Sequence, residues 1–219
     1  MPLSTLGAGT HTITAVYGGD VTFTGSTSSA ITQTVLPKTA TTTTLNSSLN
    51  PSYVGQSVTF TAAVSPSGAS GTVTFYDGTT ILGTGSLNSS GQASSSTSTL
   101  AAGSHKITAS YGGDSNFTAS TSAALTQTVN KFATSATVTL SPNPSIFGQS
   151  VTITAGVTSS AGIPTGTVTF YDGATVFGTG SLNGSGQATL SISSLAAGSH
   201  SITASYGGNG NFTAARLLS

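Results

Sequence analysis

Three histidines stand at nearly equal intervals: His11, His105 and His200 are 94 and 95 residues apart. Nine residues after each comes a carboxylate or its amide, Asp20, Asp114 and Asn209. An imidazole near a carboxylate, in a chain rich in hydroxyls, raises two kinds of chemistry: nucleophilic hydrolysis and metal binding. The spacing argues against both. One histidine per repeat keeps the rings in separate repeats, so they do not share one metal. A Ser–His–Asp triad lacks its Gly-x-Ser-x-Gly elbow, and the third repeat has Asn209 where an acid is needed.

The remaining candidates are thinner. The only acids are Asp20, Asp77, Asp114 and Asp172, with no glutamate. Asp77 and Asp172 each sit in Phe-Tyr-Asp-Gly and read as hairpin residues rather than as a glycosidase pair. Asp114, Ser115 and Asn116 offer oxygens for calcium, but a hard cation takes 6–8 ligands, usually with several carboxylates. Gly83-Thr84-Gly85 opens like a dinucleotide loop and lacks the third glycine and the helix. Asn46, Asn88, Asn116, Asn183 and Asn211 form Asn-x-Ser/Thr sequons, relevant only in a eukaryotic secretory route. Tyr76 and Tyr171 are expected to face outward, where aromatic rings suit stacking on sugars or proteins or simply cover their own sheet. No catalytic, cofactor-binding or metal residue is assigned, and the chain reads as a non-enzyme.

Composition narrows the field further. Charged residues make up 4% of the 219, against about 25% in ordinary soluble proteins. Four Lys+Arg cannot build the basic stripe that phosphate neutralisation needs, which argues against nucleic acid as a partner. No apolar run approaches the ~18 residues of a membrane helix. There is no cysteine, hence no disulfide or thiolate site.

The elements that carry these residues follow from the repeat. Leu100–Asp114 returns as 195–209, and Gly71-Thr-Val-Thr-Phe-Tyr-Asp-Gly78 returns as Gly166–Gly173. A period near 94 exceeds solenoid units of roughly 20–50 residues and matches a whole small domain. Within one unit, Val58, Phe60, Ala62 and Val64 alternate with polar residues, as do Val73 and Phe75. His105, Ile107, Ala109 and Tyr111 share one face, with Lys106, Thr108 and Ser110 on the other. Further strands are expected over 39–45, 80–87, 92–100 and 123–129, with a type I′ turn at Asp77-Gly78. Seven short strands without helix predict an all-β fold of tandem antiparallel β-sandwiches. The expected units are a partial one over 1–36 with only the last two strands, a complete one over 37–130, and one over 131–219 lacking most of its last strand. Met1-Pro-Leu-Ser-Thr-Leu6 has no signal-peptide pattern, and both ends fall inside a unit, as expected of a fragment of a longer array.

The order Asn50-Pro51-Ser52, then Gly55-Gln-Ser-Val-Thr-Phe-Thr-Ala62, then Gly71–Gly78, then Leu100–Asp114, resembles bacterial Ig-like domain repeats. These are tandem modules of large exported and surface-attached proteins. The resemblance implies an immunoglobulin-like sandwich and an extracellular or cell-surface location, and it implies no shared binding residue. Antibody-type domains place a tyrosine at the corner before the sixth strand, two residues ahead of a cysteine. Here His105 stands at that corner and Ile107 takes the cysteine's place, as do His11/Ile13 and His200/Ile202. The imidazole is expected to satisfy a backbone group there.

Three roles follow as expectations: a non-catalytic stalk or spacer, an adhesin module binding glycan or protein through loops or exposed tyrosines, and an accessory module of a secreted hydrolase. The expected partners are neighbouring Ig-like units. The sheet edge beside His200–Tyr206 is expected to lie open, so that Ser26–Val35 of another chain fills it by head-to-tail strand exchange.

Overall fold

The computed structural model describes residues 6–217, and no helix occurs among them. The N-terminal stretch contains β1 (Gly9–Ile13), β2 (Val16–Tyr17), β3 (Ser26–Thr27) and β4 (Ile31–Val35). The middle stretch contains β5 (Thr42–Ser47), β6 (Ser52–Tyr53), β7 (Val58–Ser65), β8 (Thr72–Asp77), β9 (Thr80–Ser86), β10 (Gln92–Thr97), β11 (Gly103–Tyr111), β12 (Ser120–Thr121) and β13 (Leu125–Asn130). The last contains β14 (Ser135–Ser141), β15 (Val151–Thr158), β16 (Thr167–Asp172), β17 (Thr175–Ser181), β18 (Gln187–Ile192), β19 (Ile202–Tyr206) and β20 (Ala215–Leu217).

Each of the two longer stretches folds as a pair of sheets. In the middle stretch the orders are β10-β7-β5 and β6-β13-β11-β8-β9, with β12 beside β11. In the last they are β14-β15-β18 and β17-β16-β19-β20. Period-two alternation produces the buried faces, because successive side chains leave a strand on opposite sides. Val58, Phe60, Ala62 and Val64 are buried on β7, and Val151, Ile153, Ala155 and Val157 on β15. Phe75, Ile107, Phe170 and Ile153 are fully buried. Each such side chain contributes about 1.5–3 kcal/mol by leaving water. In the last stretch Ile153, Phe170, Ile202, Tyr206 and Phe212 form one cluster, with Phe132, Val138, Leu140 and Leu190 packed against it.

By compactness the chain divides into two units. One ends its N-terminal part at Asn46 and adds Thr61–Ser95 and Thr108–Ala124; the other takes Ser47–Phe60, Ser96–Ile107 and the residues from Leu125 on.

Several local expectations shift. The hairpin loop between β8 and β9 is Gly78-Thr79, because Asp77 pairs with Thr80. Gly78 has φ +58°, and no described non-glycine residue has positive φ. That is the pattern of a type II′ turn, with glycine first, and not the type I′ expected from Asp77-Gly78. Gly173 repeats it with φ +60°. The strand expected over 39–45 is β5 at Thr42–Ser47, and Thr39 makes only an isolated bridge to Phe117. The strand expected over 92–100 ends at Thr97. The edge beside β19 is covered in part: β20 pairs with Ala204–Tyr206.

The N-terminal stretch is a ribbon. β1 pairs with β4 from Gly9↔Val35 to Ile13↔Ile31, and β2 pairs with β3. Its apolar side chains stay exposed, Val16 at 72% and Ile31 at 64%. An isolated two-stranded ribbon of this kind is marginal in water.

Candidate functional site

The histidine corner is built as the tyrosine corner suggested. Nε2 of His105 lies 2.9 Å from the carbonyl oxygen of Ala101, and Nε2 of His200 lies 2.9 Å from that of Ala196. His11 reaches Gly7 at 2.7 Å. Each ring thus closes the turn leading into its own strand, four residues back. Ile107 and Ile202, two residues on, are buried in the core.

His200 carries a second partner that sequence reasoning missed. Its Nδ1 lies 2.6 Å from Oδ2 of Asp172, while Oδ1 of Asp172 accepts the Ser201 backbone N–H at 3.1 Å. Both ring nitrogens therefore face acceptors, and both bonds form together only when the imidazole is doubly protonated. The Ala196 carbonyl and then the Asp172 carboxylate hold the His200 pKa above its ordinary value. A general base needs Nε2 free to take a proton from a nucleophile. Here Nε2 is occupied by backbone, so the pair acts as a clamp. The recurrence of Asp77/Asp172 alongside His105/His200 was the available signal, hidden because the acid also borders a hairpin.

The carboxylate proposed as a calcium ligand is likewise engaged within its own loop. Oδ1 of Asp114 accepts the backbone N–H groups of Asn116 and Phe117, each at 2.8 Å. Oδ2 accepts the backbone N–H and the hydroxyl of Ser70, both at 2.9 Å. Donation from Ser70 and then Asn116 holds the Asp114 carboxyl well below the usual range. Ser115 and Asn116 are exposed on the same loop. No group of three or more metal-ligating side chains occurs among the described residues.

Asn209 shows why an acid is dispensable in the third repeat. Its Oδ1 accepts the Asn211 and Phe212 N–H groups at 2.8 and 2.9 Å, repeating one half of the pattern. The other half is inverted: Nδ2 donates to the carbonyl and hydroxyl oxygens of Thr165 at 3.1 and 3.2 Å. Where Ser70 presents donors, Thr165 presents acceptors, and the side chain follows. A buried tyrosine completes each loop, Tyr111 donating to the Ser70 carbonyl at 3.0 Å and Tyr206 to that of Thr165 at 2.8 Å. Burial raises the pKa of both phenols.

Gly83 and Gly85 are packing residues. A Cβ on Gly83 would lie 2.4 Å from Oγ of Ser95, and one on Gly85 2.5 Å from the Ser94 carbonyl oxygen. They are glycine because β10 approaches β9 at these positions. Tyr76 and Tyr171 are half-buried. Beside them stand exposed aliphatics: Tyr76 pairs with Ile81, 62% exposed, and Tyr171 with Val176, 56% exposed. The Arg216 guanidinium lies 5.9 Å from the centre of the Tyr171 ring.

A slot lies beside the histidine corner of each module. In the middle stretch β13 fills it, antiparallel to β11 from Gly103↔Val129 to Ile107↔Leu125 and parallel to β6. Gln127, fully buried, is the centre of this strand. Its Nε2 donates to the Leu49 carbonyl at 2.9 Å and to the Ser52 hydroxyl at 3.3 Å, and its Oε1 accepts from Ser47 at 2.7 Å. Asn50 clips the same strand, donating to the Thr126 carbonyl at 2.7 Å and accepting the Thr128 N–H at 3.0 Å. In the last stretch the matching place is a cavity of about 540 Å³ between Pro142–Phe147 and Leu195–His200. Ser145 and Asn143, which correspond to Ser52 and Asn50, line it and are exposed.

The sequence profile of the bacterial Ig-like domain (group 3) matches twice, at residues 43–130 and 138–217. The chain belongs to this family. Its Ig-like modules also resemble solved structures at a distance. The Yersinia pseudotuberculosis adhesin InvE shares 16% identity at a TM-score of 0.42, over 80% of this chain and 57% of that one. The fibronectin(III)-like modules of Clostridium thermocellum CbhA share 16% at 0.35, over 80% and 93%. A 1.5-MDa bacterial ice-binding adhesin shares 14% at 0.34, over 94% and 72%. Among curated proteins none matches the chain. Within each Ig-like module the polar groups named above tie loops to strands.

Proposed function

We propose that these tandem Ig-like modules act as a non-catalytic spacer in a bacterial protein exported to the cell surface or beyond it. The observation that carries this reading is the engagement of His200, Asp172 and Asp114. Each ionisable group that invited a chemical role already serves as a local clamp with its acceptors or donors paired inside its own module. Low charge supports it too, since a Ser/Thr surface with 4% charged residues attracts few partners by electrostatics. A strand of eight residues spans about 25 Å, so each added module extends reach by a few nanometres. Family membership fits a place outside the cytoplasm.

The test is a binding screen of the 219-residue protein against glycan arrays and host-surface proteins, run beside an assay for hydrolysis of common ester, peptide and glycoside substrates. A spacer leaves both silent. Turnover that survives purification and is lost on His200→Ala would contradict it.

One observation favours an adhesin as the second reading. Tyr76 with Ile81 and Tyr171 with Val176 place the same partly exposed aromatic–aliphatic pair on the same hairpin of both modules. Rings of this kind stack on sugars or apolar side chains. Binding in the screen that disappears in Tyr76→Ala/Tyr171→Ala would establish this reading in place of the spacer. A role as an accessory module to a hydrolase is the third expectation, and it predicts binding to that enzyme's polymeric substrate.

A further inference from the structure

We propose that Asn183 is a site of spontaneous covalent modification: it closes on the Gly184 nitrogen to a cyclic imide, which water opens to aspartate or isoaspartate. The fold protects the matching Asn209-Gly210 step. This goes beyond the spacer reading and holds whichever role the modules play.

The sequence holds two Asn-Gly steps, Asn183-Gly184 and Asn209-Gly210, both in the third module. A backbone nitrogen that follows asparagine can attack the side-chain Cγ. Glycine allows the approach best, because it has no Cβ to crowd the nitrogen and its backbone turns freely. At Asn183 the Gly184 nitrogen forms the new bond to Cγ, and its proton passes through water to the leaving nitrogen. The bond from Cγ to Nδ2 breaks, and Nδ2 departs as ammonia. Water then cleaves one of the two imide C–N bonds, giving aspartate or isoaspartate. Nothing is oxidised or reduced, and water is the sole co-reactant.

The turn around Asn183 is set up for this step. Asn183-Gly-Ser-Gly186 links β17 to β18, and Oδ1 of Asn183 accepts the backbone N–H groups of Ser185 at 2.9 Å and Gln187 at 3.0 Å. These donors face the oxygen on which charge collects as the nitrogen adds, in the manner of an oxyanion hole. Nδ2, the leaving group, donates to nothing among the described residues, and neither does the attacking Gly184 N–H. Asn183 and Gly184 are exposed, so water reaches both.

The middle module supplies the control. Asn88-Ser-Ser-Gly91 makes the same turn between β9 and β10, with Oδ1 of Asn88 accepting the Ser90 and Gln92 N–H groups, both at 2.9 Å. The main-chain bonds also repeat: Asn88 donates to the Gln92 carbonyl at 2.8 Å and Asn183 to that of Gln187 at 2.9 Å. The successor is what differs, Ser89 against Gly184. The fold does not demand glycine at 184, since a Cβ there would meet nothing within 4 Å and its φ is not left-handed. Gly186 is the opposite case, with φ +71° and the Val157 carbonyl oxygen 2.6 Å from the place of a Cβ.

Asn209 has the same successor in a different setting. Its Oδ1 also accepts two N–H groups, but its Nδ2 is tied to the carbonyl and hydroxyl oxygens of Thr165, 44 residues away. Closing the imide drags Nδ2 off both acceptors, and an aspartate product sets a carboxylate against the Thr165 carbonyl. At 183 no such bond is lost, and an aspartate there keeps the donors of its turn, as Asp114 keeps Asn116 and Phe117. Two broken bonds of ordinary net strength slow the reaction by about tenfold or more.

The test holds the 219-residue protein warm at mildly alkaline pH and follows it by isoelectric focusing, peptide mass spectrometry and enzymatic methylation of isoaspartate. Each conversion adds one negative charge to a chain whose formal net charge is zero, so the product focuses at more acidic pH. The expected result is modification first at Asn183, at least about tenfold ahead of Asn88 and Asn209. Gly184→Ser, which installs the middle module's residue, should slow Asn183 at least about tenfold while the melting profile stays that of the parent. In denaturing urea Asn209 should catch up with Asn183. Modification of Asn183 no faster than that of Asn88, or unaffected by Gly184→Ser, overturns the proposal. Asn209 reacting as fast as Asn183 in the folded protein, or remaining slow in urea, overturns the protective role of Thr165.

Discussion

The middle and third modules are nearly the same text folded around two different local solutions. In the middle module a carboxylate, Asp114, gathers donors from Ser70; in the third an amide, Asn209, donates to Thr165. The difference teaches what an Ig-like repeat must keep and what it may vary. The buried alternation and the imidazole-to-carbonyl corner stay fixed, because each satisfies the core or a backbone group. The sign of the loop side chain is free to change as long as the facing backbone group changes with it.

The comparison is broken most forcefully in the core. Phe75→Ala and Phe170→Ala each remove a fully buried ring, and each should cost its own module about 3–5 kcal/mol. Calorimetry should show each variant lowering the transition of its own module.

Exchanging the loop residues is the next largest effect. Asn209→Asp sets a carboxylate against the Thr165 carbonyl and should cost on the order of 1 kcal/mol at neutral pH. The loss should shrink in acid as the new carboxyl protonates and donates. Asp114→Asn fails for the opposite reason, since its amide hydrogens meet the Ser70 donors. Unmutated Asp114 also carries a pH signature. Its folded pKa is depressed, so its contribution is present above about pH 4, the ordinary carboxyl value, and is lost as pH falls through the folded value. Acid titration should weaken the middle module at this site and leave the Asn209 loop untouched.

Tyrosine hydroxyls sharpen the same contrast on a smaller scale. Tyr111→Phe strips the Ser70 carbonyl of its side-chain donor, whereas after Tyr206→Phe the Thr165 carbonyl keeps the Asn209 amide. The first should cost about 0.5–1.5 kcal/mol and the second less, measured by denaturant midpoint. His200 gives the smallest effect. Its folded pKa is raised, so its stabilisation is complete below about pH 6.5 and fades as pH rises through the folded value. His200→Gln should flatten that slope in the third module's melting profile.

Much of this was legible in the residues. Alternation along Val58–Val64 and Ile107–Tyr111 placed the core, and the His-x-Ile offset placed the corner bond to a backbone group, which is a carbonyl. Both are local rules, readable from period and position. What escaped reading is non-local. Asp172 sits 28 residues from His200 and was read as a hairpin residue, which it also adjoins. Gln127 lies in a Thr-rich strand and looks solvated, yet it is buried because three groups 75–80 residues away receive it. The turn type was misread because Asp-Gly is a strong local signal, while register shifted the loop by one residue to Gly78-Thr79.

Amide exchange on the dilute 219-residue protein tests the contrast between the modules most directly. The Asn116 and Phe117 amides, which donate to the Asp114 carboxylate, should lose protection as acid protonates it, while the Asn211 and Phe212 amides, which donate to the Asn209 amide oxygen, should keep theirs. An equal response of the two loops to acid would contradict the account.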